Sequence, residues 1–311
     1  MGLFRDLRIH QIKRRILNDG IAVALGSGGF KGFFHIGVFA ALELLKIPIR
    51  RIAGTSAGAI VGAAYAAGIP LDDIIDFAVT FNMGSVLNLG NPVLPGSGIL
   101  KASGAVDFLR KALKSSEFRD MKIPLSIIAT DIITAERIVL EEGDVSMAVR
   151  ASVSVPAIFE PIIIGNRVLV DGGITENVPV ATLRSRWKGI VFASSLTPPL
   201  SYPNDIQIKK NKKTMLAFLK TIPVFQDVPW VKEYESPSVD SNWAAILIRA
   251  WDIMAYETYK IYIQKHPPDL IVTIDSECNP GMNDINEAGI RKMINLGREK
   301  TLRCFQAYGI E

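Results

Sequence analysis

Two short apolar runs, each closed by glycine and followed by a helical pattern, constrain the fold most strongly. Ile21–Leu25 is entirely apolar and stops at glycines, after which residues 32–46 carry apolar side chains at helical spacing. The same order returns at residues 52–54, with a helix expected over residues 57–67. A repeated strand–loop–helix order predicts a right-handed α/β unit built on a parallel sheet.

The rest of the chain continues this pattern. Further strands are predicted at residues 123–131, 137–140, 168–171, 189–195 and 270–275, and long helices at residues 241–264 and 283–308. With 311 residues, 49% of them hydrophobic, the chain can bury a core of one large domain. We therefore predict an α/β fold with a mostly parallel central sheet.

Three segments stand apart from this core. Residues 1–20 form a basic N-terminal segment, so the main domain is expected over residues 21–311. Six prolines and a group of lysines mark residues 197–241 as an insertion or cap. Residues 81–104 are predicted to be a long loop with apolar side chains, either a lid that faces substrate or a loosely ordered linker.

The charge distribution bears on possible partners. A net charge of +4 is too small a bias to argue for nucleic acid. The basic residues are nevertheless clustered, at Arg5, Arg8, Lys13, Arg14 and Arg15 and again at Lys209, Lys210, Lys212, Lys213 and Lys220. Such clusters attract anionic lipid headgroups, although a solvated basic face is the simpler interpretation. Reversible contact with a membrane surface is therefore expected, and the oligomeric state is left open.

Compartment and membrane topology follow from what the sequence contains. The two cysteines form no CxxC pair, which fits a reducing compartment, and residues 1–20 lack the apolar stretch of a secretory signal. Residues 52–71 are uncharged and long enough to span a bilayer, but they consist mostly of small side chains. We expect a cytoplasmic protein, peripheral at the inner membrane surface at most.

Gly54-Thr55-Ser56-Ala57-Gly58 is a G-x-S-x-G motif between a predicted strand and a predicted helix. That context is the one required by a nucleophile elbow, in which a tight turn holds the serine above the sheet. The helix behind it offers backbone N–H groups to a developing anion. Ser56 is therefore the candidate nucleophile.

A second glycine-rich segment, residues 26–32, also joins a predicted strand to a helix. It lacks the G-K-[ST] ending of a nucleotide P-loop and the third glycine of a dinucleotide fingerprint. An oxyanion hole remains, because glycines let backbone N–H groups converge on one point. A glycine turn that only packs is the alternative.

The base that would activate Ser56 is less certain from the residues alone. A Ser56–Asp171–His266 triad has the chain order of an α/β-hydrolase, and His35 is better explained as a loop-supporting residue. Asp171 ends an apolar run and precedes two glycines, so its carboxylate should lie at a strand tip with room for a neighbour. A strand-end aspartate that only forms a turn is the alternative.

These motifs together resemble the patatin-like phospholipases, most closely the bacterial members related to neuropathy target esterase. The resemblance rests on residues 25–32, His35-Ile36-Gly37-Val38, the motif at 54–58, and Asp171-Gly172-Gly173 with Asn177-Val178-Pro179. It covers roughly residues 21–195. Lys31 stands where the family usually has arginine, and Phe30 replaces a small residue, so loop geometry and substrate preference are the points in doubt.

The resemblance implies a three-layer α/β/α sandwich and a Ser–Asp dyad that needs no histidine, metal or cofactor. Ser56 would be the nucleophile and Asp171 the general base, with the backbone of Gly28 and Gly29, and Gly26 nearby, forming the oxyanion hole. The implied activity is hydrolysis of lipid acyl esters, of the phospholipase A or lysophospholipase type. The alternatives are an esterase or thioesterase for small soluble substrates and a non-enzymatic lipid-binding scaffold.

Overall fold

The computed structural model describes residues 2–80, 110, 117–156, 159–197, 243–274 and 286–311, without the side chains of residues 2–8, 243–249 and 251–252. The chain divides into two compact units, Met1–Pro199 with Ala255–Glu311, and Leu200–Met254. Of the second unit, only the beginning of one helix is described. The loop predicted over residues 81–104 and nearly all of the insertion predicted over residues 197–241 lie outside the described residues, so both stay predictions.

The helices and strands alternate through the first half of the chain and follow the order expected from the sequence. They are α1 (Gly2–Asp19), β1 (Ile21–Leu25), α2 (Phe33–Leu44), β2 (Ile49–Thr55), α3 (Ala57–Ala66), α4 (Leu71–Val79), β3 (Leu125–Asp131), β4 (Arg137–Leu140), α5 (Val145–Ser152), β5 (Ile162–Ile164), β6 (Arg167–Asp171), α6 (Val180–Arg186), β7 (Ile190–Ser195), α7 (Trp243–Lys265), β8 (Leu270–Thr273) and α8 (Glu287–Gln306). The basic N-terminal segment is thus helical, and Ile16 near its end is buried.

The described strands form a single eight-stranded sheet in the order β5-β6-β3-β2-β1-β7-β8, with β4 paired to β3. The pairs β3–β2, β2–β1, β1–β7 and β7–β8 are parallel, whereas β4, β5 and β6 run antiparallel to their partners. The predicted mostly parallel sheet is therefore confirmed.

Helices cover both faces of the sheet. Ile21, Val23 and Leu25 point into the larger core, beside side chains from α2 and α8. Ala22 and Ala24, which alternate with them along β1, point into a smaller core with side chains from α6 and α7. This alternation explains why the strand reads as a continuous apolar run, since both of its faces are buried. The α/β/α layering is thereby confirmed.

One detail of the sheet brings the predicted site residues together. β2 pairs with residues 125–128 of β3, β4 with residues 127–130, and β6 with residues 129–131. Because β4 shares partner residues with both β2 and β6, those two strands must lie on the opposite edge of β3. β6 therefore continues along that edge from the point where β2 ends.

Candidate active site

Ser56 occupies a strained turn between β2 and α3. Its backbone angles are φ 54° and ψ −118°, and it is one of three described non-glycine residues with positive φ. A residue keeps such a conformation only where its surroundings impose it, and such residues cluster at functional sites. The strand–turn–helix context expected of a nucleophile elbow is present.

Close backbone packing explains the glycine at each end of this motif. A Cβ atom on Gly54 would lie 2.4 Å from the carbonyl oxygen of Gly58, and one on Gly58 would lie 2.2 Å from that of Leu25. Any side chain at either position would force the first turn of α3 away from the sheet. The glycines thus hold Ser56 close to the ends of β1 and β2.

Asp171 is the last residue of β6, which runs antiparallel to β2 and ends next to the end of that strand. It pairs with Ala129, whereas Thr55, the residue before Ser56, pairs with Ile128. Since β2 and β6 share one edge of β3, Ser56 and Asp171 follow each other along that edge. Residues far apart in the chain are thus neighbours, as the sequence interpretation requires.

The Asp171 carboxyl is fully buried and only half partnered. Oδ1 accepts a hydrogen bond from the Gly173 N–H at 2.7 Å, whereas Oδ2 has no partner of normal geometry among the described residues. Burial raises the pKa of Asp171 to about 7, while the nearby Ser56 hydroxyl and the Gly173 N–H lower it. The Ser56 hydroxyl is therefore close enough to affect the carboxyl without forming a well-aligned bond to it, as is common in catalytic pairs without substrate.

The glycine loop contributes amides to this site unequally. The N–H of Gly26 donates to Ser194 O at 2.9 Å, and that of Ser27 donates to Asn177 O at 2.9 Å. The N–H groups of Gly28 and Gly29 bond to none of the residues that the structure describes. The N–H of Gly26 is thus already engaged and anchors the loop, and the oxyanion hole predicted at Gly26, Gly28 and Gly29 stays a prediction.

Gly29 and Gly32 show how this loop is placed. Gly29 has φ +55°, and a Cβ built there would meet none of the described residues within 4 Å. A Cβ on Gly32 would lie 2.7 Å from the Cβ of Ala57, the first residue of α3. The glycine loop and the start of α3 are therefore in contact.

His35 supports the glycine loop from within the core. Its Nε2 lies 2.9 Å from Gly26 O and its Nδ1 2.9 Å from Ser194 Oγ. A carbonyl oxygen only accepts, so Nε2 carries the hydrogen and Nδ1 accepts from the serine hydroxyl. Burial lowers the pKa of His35 to about 4, against a smaller raising effect of Gly26, so the ring is neutral. The loop-supporting interpretation of His35 fits this arrangement.

His266 lies at the amino ends of the parallel strands, whereas Ser56 lies at their carboxyl ends. His266 follows α7 and precedes β8, whose first residue Leu270 pairs with Phe192 near the start of β7. A Ser56–Asp171–His266 triad is therefore incompatible with the topology.

The family follows from this part of the chain. The profile of the family described as "Patatin-like phospholipase" matches residues 23–184, just over half of the chain, and this range includes the glycine loop, Ser56 and Asp171. The chain belongs to the patatin-like phospholipase family.

Named relatives agree with this membership. An NTE family protein of Mycobacterium bovis is 35% identical over 176 residues, covering 57% of this chain and 49% of its own length. The lysophospholipase NTE1 of Debaryomyces hansenii is 32% identical over 196 residues, covering 59% of this chain and 12% of its own. The chain thus spans about half the length of the mycobacterial relative.

Among solved structures, VipD from Legionella pneumophila superposes with a TM-score of 0.49 at 14% identity, covering 93% of this chain and 67% of its own.

Two groups in the patatin-like domain were missed by sequence reasoning. Ser152, at the end of α5, accepts a hydrogen bond from the Ser56 N–H at 2.8 Å. Glu176 is buried and bonds to Arg137 and Thr182. A signal for α5 was available, since Asp144 caps a segment with apolar residues at 145, 148 and 149. Nothing in the sequence pattern indicated Glu176.

Other candidate sites are lacking within the described part of the chain. No group of three or more His, Cys, Asp or Glu side chains there is arranged to hold a metal ion. None of the described helices combines the length and apolar character needed to cross a bilayer. Residues 52–71, considered above as a span, are instead divided among β2, α3 and the start of α4.

Proposed function

We propose that the chain is a serine lipid acyl hydrolase of the phospholipase A or lysophospholipase type, with Ser56 as nucleophile and Asp171 as general base. The carrying observation is a buried carboxyl beside a serine held in a strained elbow, with one carboxyl oxygen that has no well-aligned partner among the described residues. Membership in the patatin-like phospholipase family supports this activity. The name of the yeast relative, a lysophospholipase, supports the substrate class.

In the first half of the proposed reaction, Ser56 Oγ attacks the ester carbonyl and its proton passes to Asp171 Oδ2. The negative charge on the carbonyl oxygen is stabilised by the amides of Gly28 and Gly29, joined by that of Ala57 at the N-terminus of α3. The Ser56 N–H cannot contribute, because it already donates to Ser152. Asp171 returns the proton to the departing alkoxide, and the acyl group remains on Ser56.

The second half repeats the chemistry with water. Asp171, again ionised, removes a proton from a water molecule that attacks the acyl-enzyme. Collapse of this intermediate transfers the proton to Ser56 Oγ and releases the fatty acid. The raised pKa of Asp171 suits this role, since a base works best with a pKa near the working pH.

The main test combines labelling with product analysis. A fluorophosphonate probe should label the wild type at Ser56 and leave Ser56→Ala unlabelled, with both proteins folded by circular dichroism. Mass spectrometry on a mixed lipid panel should show fatty acid release by the wild type only. Hydrolysis of small soluble esters without any lipid product would favour the alternative esterase or thioesterase. A labelled but inactive enzyme on both substrate sets would contradict the proposed hydrolase.

The proposal includes reversible contact with a lipid surface through the turns beside the site. Ile132 and Ile133 follow β3 and are 48% and 74% exposed, and Ile163 on β5 is 70% exposed. Ile132 N donates to Val168 O, and Val168 pairs with Ile163, so these side chains belong to one region. β3 continues three residues beyond Ile128, to Asp131, about 10 Å past the level of Thr55, and Ile132 and Ile133 follow in the turn. These turns therefore project on the side of the sheet where substrate must approach.

Two of the basic residues of α1 lie elsewhere. Lys13 donates to Gly309 O, and Arg15 donates to Lys188 O. Lys188 lies just before β7, at the end of the parallel strands opposite Ser56.

A vesicle experiment tests the isoleucine surface. Sedimentation with phosphatidylcholine vesicles should fall in Ile133→Ser and Ile163→Ser. Unchanged sedimentation would remove this surface from the proposal. Loss of self-association, with vesicle binding intact, would identify the surface as a contact between copies of the chain.

A further inference from the structure

We propose that the segment Ser152–Ser154, which ends α5, positions Ser56 and Asp171 relative to each other, with Ser152 as its principal positioning residue. The inference rests on the proposed function and adds residues that hold the reacting groups without touching substrate. Hydrogen bonds connect this one short segment to the backbone of both residues.

Ser152 is inserted between β2 and β3 at the point where their pairing ends. Its Oγ accepts from the Ser56 N–H at 2.8 Å and donates to Ile128 O at 2.6 Å. Ile128 is the residue that pairs with Thr55, the last residue of β2. The hydroxyl thus satisfies two buried backbone groups that the turn at Ser56 would otherwise leave unpaired. It also connects the strained residue to the strand beside which Asp171 lies.

Ser154 holds the other partner. Its carbonyl oxygen accepts from the Asp171 N–H at 2.9 Å, and the Asp171 carbonyl in turn accepts from Thr130 Oγ1 at 3.0 Å. Both sides of the Asp171 backbone are therefore fixed, one by the end of α5 and one by β3. Ser56 and Asp171 are thus attached to the same three-residue segment, two residues apart.

The segment itself is held in place from outside the site. Arg150 donates to Ser154 Oγ and, through Nη2, to Glu160 O at 3.0 Å. Ser154 Oγ also donates to Arg150 O at 2.7 Å. These contacts fix the end of α5 against the chain that leads into β5. A fixed support is what a positioning element requires, because side chains must be held within a fraction of an ångström to react efficiently.

The chain supplies a matched control on the same helix. Ser146 is buried like Ser152, but its Oγ has no hydrogen-bond partner among the described residues. Ser146→Ala removes the same atom from the same helix without disturbing Ser56. A difference between Ser152→Ala and Ser146→Ala therefore measures the contact to Ser56 and not the loss of a buried hydroxyl.

The test uses the full chain with a p-nitrophenyl ester and a fluorophosphonate. Ser152→Ala should lower kcat and the rate of fluorophosphonate labelling on the order of 100-fold, with KM within about twofold, because misplacement by about 1 Å can cost this much. Ser146→Ala should stay within about twofold of the wild type in both rates. Ser152→Thr, which keeps the hydroxyl, should recover most of the activity lost in Ser152→Ala.

The pH profile separates positioning from a purely structural effect. The Ser56 hydroxyl lowers the pKa of Asp171, so moving it away should shift the acid limb of kcat/KM to higher pH in Ser152→Ala. A structural role would lower Tm without moving this limb. If Ser152→Ala fails to fold, Ser152→Cys decides, since a thiol is a weak acceptor of similar size; an intermediate loss of activity supports the proposal.

Two results would overturn it. Wild-type labelling rates and an unmoved acid limb in folded Ser152→Ala or Ser152→Cys would remove Ser152 from the positioning of Ser56. Equal effects of Ser152→Ala and Ser146→Ala would do the same. Ser56→Ala distinguishes this outcome from failure of the proposed function: if that variant still hydrolyses ester, the assignment of the nucleophile is wrong, whatever Ser152 does.

Discussion

Two buried carboxyl groups, five residues apart in one segment, are treated in opposite ways. Both carboxyl oxygens of Glu176 accept hydrogen bonds. The N–H of Thr182 donates at 3.0 Å, the hydroxyl of Thr182 at 2.5 Å and Arg137 at 2.9 Å. Asp171 receives one backbone N–H, and its second oxygen has no partner of normal geometry among the described residues. Both are 0% exposed, so burial does not distinguish them.

The difference separates a structural acid from one suited to chemistry. The donors from Arg137 and Thr182 occupy both oxygens of Glu176 and tie the side chain into the structure. At Asp171, in contrast, Oδ2 has no well-aligned hydrogen-bond donor among the described residues, so this oxygen is available to accept a proton. The same segment is thus held at Glu176, whose carbonyl also accepts from Thr55 Oγ1, and carries the proposed general base at Asp171.

The largest expected effect is the loss of activity when Asp171 is replaced. Asp171→Asn should lower kcat/KM for ester hydrolysis by roughly three orders of magnitude or more, because the amide cannot take the Ser56 proton. Steady-state kinetics with a p-nitrophenyl ester would measure this loss. Asp131→Asn is a suitable control, since Asp131 is also buried at the end of a strand; it should stay within about threefold of the wild type.

The pH dependence should report Asp171 in the active enzyme. Its pKa of about 7 means that the carboxyl is ionised above this pH and protonated below it. The plot of log kcat/KM against pH should therefore fall with unit slope below about pH 7, reaching roughly 100-fold lower activity at pH 5. Activity that stays constant from pH 8 down to pH 5 would contradict Asp171 as the base.

The same pKa predicts that Asp171 destabilises the fold at high pH. An unfolded aspartate has a pKa near 3.9, so its folded-state pKa is raised, and the stability it contributes is present below about pH 4 and is lost as pH rises through 7. Asp171→Asn should therefore increase the free energy of unfolding by about 4 kcal/mol at pH 8, and by much less at pH 4. Urea unfolding at the two pH values would measure the difference, and an equal effect at both would contradict it.

A smaller effect is expected on the Glu176 side. Glu176→Gln should destabilise the fold by about 1–2 kcal/mol, because it removes the charge paired with Arg137 and one acceptor needed by Thr182. Arg137 is partly exposed, which limits the cost. Thermal unfolding would measure this change, with the exposed Glu142→Gln as control. If Glu176→Gln instead abolished activity without changing Tm, the two carboxyls would not differ as inferred.

Chelating agents are expected to have no effect on hydrolysis. A chelator such as EDTA should leave hydrolysis within experimental error of the untreated enzyme, because every proposed step uses side chains and backbone amides of this chain. Recovery of lost activity by a particular divalent metal would show that the proposed mechanism is incomplete.

Local patterns were enough to predict most of the sheet and the two glycine-rich turns. Buried strands such as β1 and β7 are continuous apolar runs, and the motif at Ser56 carries its own strand–turn–helix context. β5 was missed because its three residues are too short to form a pattern, and α5 was missed although Asp144 marks its start. The predicted segment boundaries agree with the structure to within a few residues.

The site was harder to predict than the fold because it depends on contacts between distant residues. The sequence indicated Ser56 and Asp171, but their proximity depends on β6 following β2 along one edge of β3. The engagement of the Gly26 amide depends on Ser194, 168 residues away. The role of Ser152 depends on a hydrogen bond across 96 residues. Local periodicity carries none of this information.

The turn between β5 and β6 sets the register of β6, and with it the face of the strand from which Asp171 projects. Residues 165–166 connect these strands, and Gly165 has a φ of +62°. Side chains along a strand alternate between its faces, so a shift of β6 by one residue would turn the carboxyl of Asp171 away from Ser56. Inserting or deleting a single residue in this turn, about 17–20 Å along the strand from Asp171, should therefore abolish the proposed hydrolysis while leaving every proposed site residue unchanged.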